Sequence, residues 1–157
     1  MGYVKLNIDA GVKEGWGMGV GVICRGSNGE VVWGLAEHRR AEMEPRLAEA
    51  MAILEGVKEA RSRGHTRIII ESDCKMVIDA LKTKEQGHSD FHLILDDIFY
   101  FCSDFNSVIW SFVSRKLNGV AHELAHFSSS EISRYVWDSL LPEQVMSLVI
   151  RDINDMR

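Results

Sequence analysis

The chain has 157 residues, 46% hydrophobic and 26% charged, the balance of an ordinary globular protein with room for one real core. No apolar run reaches the roughly 20 residues a membrane helix needs, and no basic-then-apolar leader opens the chain, so neither a membrane partner nor a targeting segment is expected. The net charge of −5 gives no global attraction to nucleic acid, so any such binding must rest on local basic patches or metal ions.

Residues 3–9 read as a strand, and 15–24, studded with glycine, as a second. Asn28-Gly29 marks a hairpin, and the chain returns through 31–35 and extends to 40. Pro45 opens a helix that ends near Gly64, each residue suited to its position. Residues 67–71, β-branched, read as a buried strand. Helices follow over 73–82 and 91–103, then a fifth strand at 107–113, a helix over 118–129 and a short helix over 141–150. Residues 83–90 are the best candidate for a mobile loop. This order predicts one α/β domain over 1–157. Its mixed five-stranded sheet has strands 1–3 antiparallel and strands 4 and 5 parallel to strand 1, with helices on its faces. The core covers about 3–130 and a helical extension about 131–155.

The three cysteines, Cys24, Cys74 and Cys102, have no paired spacing. They argue for free thiols in a reducing, nuclear or cytoplasmic setting rather than a disulfide framework or a zinc site.

Three carboxylates stand where chemistry is commonly placed. Asp9 interrupts an apolar strand, and its competing reading is a turn aspartate before Ala10-Gly11. Glu49 borders the apolar arc of its helix, away from the charged side built from Glu55, Lys58, Glu59 and Ser62; the competing reading is a helix-start glutamate. Asp73 follows the end of the fourth strand, where open α/β sheets place ligands, or else caps the next helix. Together they form a strand-Asp, helix-Glu, strand-end-Asp series, costly to cluster unless divalent cations compensate. Two Mg²⁺ ions about 3.5–4 Å apart suit in-line hydrolysis of a phosphodiester.

The stretches KLNIDAG, GVGVICRGSNGEVV, AEAMAILEGVKEA, IIIESDCKMVIDAL and SRKLNGVAHELAHF, with the tail LPEQVMSLVIRDI, carry a resemblance over residues 4–155. The chain resembles the ribonuclease H domain, most closely the reverse-transcriptase-like ribonuclease H family abundant in plants. The resemblance implies an endonuclease that cuts the RNA strand of RNA–DNA hybrids with two divalent ions, Mg²⁺ or Mn²⁺. It implies Asp9, Glu49 and Asp73 as metal ligands; Gly11, Arg115, Lys116 and Asn118 are this chain's own candidates for contacting nucleic acid. A proofreading exonuclease would carry Asp-x-Glu on the first strand, where this chain has Gly11. An integrase-type domain would carry its glutamate last.

The match departs at NGVAHELA, where His122 stands in place of the family's usual fourth aspartate. His122 is either a further catalytic metal ligand or a solvent-facing histidine. Because imidazole is a poor Mg²⁺ partner, the departure predicts better support from Mn²⁺. The loop before this helix has Arg115 and Lys116 and no histidine, and the pair is either phosphate-holding or solvated. The basic grip is also missing, since HSDFHLILDDIFYF is acidic and apolar. The alternative function is a weak or inactive module that binds nucleic acid or a protein partner. Gly17, Gly19 and Gly21 predict close approach of backbone or substrate, or tight strand packing. Trp33, Trp110 and Trp137 read as packing residues. His65 and His126 have no partner identified by spacing.

Overall fold

Apolar alternation and the Asn-Gly turn build the opening sheet much as expected. A computed structural model, which describes residues 2–127 and 133–155, has β1 (Val4–Lys13), β2 (Gly17–Arg25) and β3 (Val31–Arg39) in antiparallel succession. Gly29 adopts φ +81° in the β2–β3 turn, the conformation that glycine supplies without strain. β1 runs past its expected end because Gly11 and Val12 continue the ladder opposite Gly19 and Met18. Asp9 therefore lies within a strand, opposite Gly21, and not in a turn.

After α1 (Pro45–Ser62), β4 (Arg67–Ser72) pairs parallel to β1. After α2 (Lys75–Thr83) and α3 (Asp90–Cys102), β5 (Ser107–Phe112) pairs parallel to β4. A 3-10 turn (Arg115–Asn118) leads into α4 (Gly119–His126). The expected sheet of five strands is corrected to six. β6 (Arg134–Trp137), in the stretch read as a helical extension, pairs antiparallel with β3 before α5 (Glu143–Asp155). The sheet order is β5-β4-β1-β2-β3-β6. The expected end of the fourth helix at 128–129 lies outside the described residues.

Strand alternation sends side chains to two cores. Leu6, Ile8, Val20, Val22 and Leu35 pack with α1, α2 and α3. Ile23 and Ala36 pack with Val120 and Leu124 of α4 and Val145 and Val149 of α5. Trp33 is fully buried in the first core, which Trp110 borders, while Trp137 borders the second. The glycines of β2 allow α4 to lie directly on the strand. A Cβ at Gly19 would overlap the Ala125 carbonyl oxygen, and one at Gly21 would overlap Ala121 O and Ala125 N. Of the two readings of these glycines, backbone-to-backbone packing is the one observed.

Glu55 departs from the exposed charged face expected for it. It is buried, with Arg39 at 2.9 Å and Arg134 at 3.3 Å, so β3 and β6 cover that side of α1 with cations. The three cysteines are free, and burial pushes the Cys24 thiol up to about 12. No helix among the described residues is long and apolar enough to cross a membrane.

The β2–α4 contact predicts that Gly21→Ala costs about 1–3 kcal/mol, the usual range for overpacking. Thermal melting should then fall by roughly 2–4 °C per kcal/mol, while Gly2→Ala, with open space around it, leaves the midpoint in place.

Candidate active site

Three elements meet where β1 and β4 run parallel. Asp9 projects from β1, Glu49 from the second turn of α1, and Asp73 follows the last residue of β4. One ligand oxygen from each lies within 4.8 Å of the other two. Neither competing local role is seen for the last two. α1 has no acidic residue in its first turn, and the N-cap of α2 is Cys74 rather than Asp73. Glu49 Oε1 instead accepts the Ala10 amide at 3.3 Å across to β1.

The electrostatics are those of crowded carboxyl groups with little water around them. Asp9 is 4% exposed, and Glu49 Oε2 is buried without a hydrogen-bond partner. Burial, then the charges of Asp9 and Asp73, push Glu49 up to about 9 against the opposing Ala10 amide. Asp73 is also raised, first by burial and then by Asp9, while Arg115 and His122 pull the other way. An orphaned buried carboxylate oxygen among converging hard oxygens fits a divalent ion of the Mg²⁺ or Mn²⁺ type.

These carboxylates line a cleft of about 470 Å³ with Ala10, Glu44, Pro45, Arg46, Cys74, Met76 and Arg115. Arg46 is a cleft residue that sequence reasoning missed. Its guanidinium lies 4.2 Å from the centroid of the Phe91 ring, and among the described residues its nearest ion-pair partner is Glu44 at 3.8 Å. Its position three residues before Glu49 was the available signal.

The remaining expected residues divide. His122 comes to the site: its Nδ1 is 2.9 Å from Asp9 Oδ2, and its side chain is 40% exposed. It thus neither faces solvent freely nor joins the mutually close ligand atoms of the carboxylate group. Arg115 lines the cleft, whereas Lys116 is exposed on the same turn and does not line it. Asn118 requires correction as a nucleic-acid contact. It is 1% exposed, its Nδ2 donates to the Ile8 carbonyl at 2.8 Å, and its Oδ1 accepts from Asn7 at 3.3 Å. Its amide is spent on fastening the 3-10 turn to β1. Gly11 is covered by His126, whose ring would meet a Cβ there at 2.8 Å. His65 accepts from the Trp33 indole at 3.0 Å, and His126 contacts the His122 ring. For His126 the i, i+4 spacing was legible and was missed.

Glu49 binds a proton in the metal-free folded protein up to about pH 9 but releases it near 4.5 when unfolded. Its contribution to stability is therefore complete below about pH 4.5 and is lost as pH rises through about 9. In chelator, the melting temperature of wild type should fall relative to Glu49→Gln across that range, and added Mg²⁺ should close the difference. Parallel pH profiles for the two proteins would contradict this electrostatic reading.

The family model described as reverse transcriptase-like matches residues 7–128. Solved structures share the fold. Ribonuclease H1 from Halobacterium salinarum NRC-1 is 20% identical, with 80% of this chain and 96% of that one covered at a TM-score of 0.73. The N-terminal ribonuclease H domain of a Mycobacterium tuberculosis protein is 19% identical, with 95% and 96% covered at 0.71. LC11 ribonuclease H1, solved with an RNA/DNA hybrid, is 14% identical, with 78% and 94% covered at 0.71. Curated proteins yield no match. The family model spans well over half of the chain and the solved structures share its fold, so the chain belongs to the reverse transcriptase-like family of ribonuclease H domains.

Proposed function

We propose that this chain is a metal-dependent endonuclease that hydrolyses the RNA strand of RNA–DNA hybrids. The observation that carries the proposal is the convergence of Asp9, Glu49 and Asp73 within 4.8 Å, with Glu49 Oε2 left unpartnered. Asp9, Glu49 and Asp73 would hold two divalent ions, Mg²⁺ or Mn²⁺. Bound there, such ions supply an activated water and charge stabilisation at the leaving oxygen. The family and a neighbour solved on an RNA/DNA hybrid support the choice of substrate.

The chain's own groups position the reaction. His122 donates from Nδ1 to Asp9 and so orients that carboxylate, a positioning role alongside the further ligand role expected for it. Arg115 and Arg46, on the cleft wall, suit the non-bridging oxygens of a phosphodiester. No protein nucleophile is needed. The cleft thiol of Cys74 is held protonated, chiefly by burial, and a thiol is a poor nucleophile.

The test is cleavage of a labelled hybrid with Mg²⁺ and separately with Mn²⁺. Wild type should cut, with Mn²⁺ the better ion, and Asp73→Asn should lose activity by about 10² or more, as expected for removing charge that stabilises the transition state. His122→Asp adds an oxygen ligand and should gain Mg²⁺-dependent rate; the absence of a gain would count against this view of position 122. No cleavage by folded wild type with either ion would overturn the nuclease proposal in favour of a binding module.

A further inference from the structure

α4 carries the run His122-Glu123-Leu124-Ala125-His126, two imidazoles one turn apart on one helix face. This is the spacing by which a helix offers two nitrogen ligands to a transition-metal ion. The ring centroids are 4.4 Å apart. Each ring has its Nδ1 engaged by an acceptor: Asp9 Oδ2 for His122 and the His122 carbonyl for His126, both at 2.9 Å. With an oxygen acceptor at Nδ1 in each ring, the neutral imidazole carries its proton on Nδ1 and its lone pair on Nε2. Donation from the second nitrogen to a carboxylate or carbonyl is how metal-binding histidines are oriented. Trp16 stacks on the His126 ring with a 4° interplanar angle, fixing its plane.

Gly11 leaves room for the face of the His126 ring: a Cβ there would stand 2.8 Å from Nε2 and 2.9 Å from Cε1, over the ring rather than along the Nε2 lone pair. Both imidazoles reach solvent. We infer that His122 and His126 form a two-nitrogen site for a transition-metal ion of the Zn²⁺ and Ni²⁺ class, with water completing its shell. Zn–N bonds of about 2.0–2.1 Å require Nε2 atoms roughly 3.3 Å apart, a span on the scale of two rings whose centroids lie 4.4 Å apart. The site is chemically distinct from the carboxylate cluster, which offers only hard oxygens. Asp9 connects them, facing the cluster and accepting the His122 proton. The run does not complete a metalloprotease set. Among the described residues the only three-residue metal-ligating group is Asp9, Glu49 and Asp73, and Glu123 is exposed.

The test is calorimetric titration of Ni²⁺ into Asp73→Asn, in excess Mg²⁺, so that the carboxylate cluster is disabled. One Ni²⁺ per chain is expected. Adding His126→Gln should weaken binding at least about tenfold, since loss of an outer-shell partner alone costs roughly that much or more. Adding His122→Gln in place of His126→Gln removes the other nitrogen and should also weaken binding. No Ni²⁺ binding to Asp73→Asn, or full affinity in either folded double variant, overturns the inference. Neither result bears on cleavage by wild type with Mg²⁺, so the two proposals fail separately.

Discussion

Mutual repulsion among three carboxylates is the constraint on which the rest of this structure turns. Carboxyl groups this close and this poorly hydrated are tolerated because Glu49 keeps a proton and because a stiff framework, the parallel pairing of β1 with β4, holds them. Asp9 and Asp73 are brought side by side by a ladder whose register is set by the aliphatic faces of Leu6, Ile8, Ile68 and Ile70. Glu49 comes from a helix packed on the same core and is tied to β1 through the Ala10 amide. Hydrophobic burial thus supplies the free energy that opposes the repulsion, and a divalent ion would relieve it.

The other side of the site depends on how closely α4 approaches the sheet. Gly19 and Gly21 remove the side chains that would hold the helix off β2, and Asn118 fastens its lead-in turn to the Ile8 carbonyl. The result sets His122 against Asp9 and His126 over Gly11. The same packing therefore serves both the carboxylate cluster and the imidazole pair, which share Asp9. A small shift of α4 would be felt at both.

Much of this was legible in the sequence because it is local. Strand periodicity, the Asn28-Gly29 turn and Pro45 mark the elements, and the order Asp9, Glu49, Asp73 marks the site. What was not legible depends on distant partners. β6 is four residues long and is defined by pairing with β3, about a hundred positions earlier, so no periodicity announces it. Glu55 looks like surface charge until Arg39 and Arg134 close over it. Asn118 looks like a cleft residue until its amide is found bonded to β1. By contrast, Arg46 and the His122–His126 spacing were within reach of sequence reasoning and were passed over.

The most direct measurement of the central claim is calorimetric titration of Mn²⁺ into wild type near pH 7.5, in buffers of differing ionisation enthalpy. The buffer dependence counts the protons released on binding. With Glu49 raised to about 9 in the metal-free protein, binding should release close to one proton, and Glu49→Gln should release almost none. Mn²⁺ binding with no proton release from wild type, or no binding at all, would contradict a site built from mutually repelling carboxylates awaiting a cation.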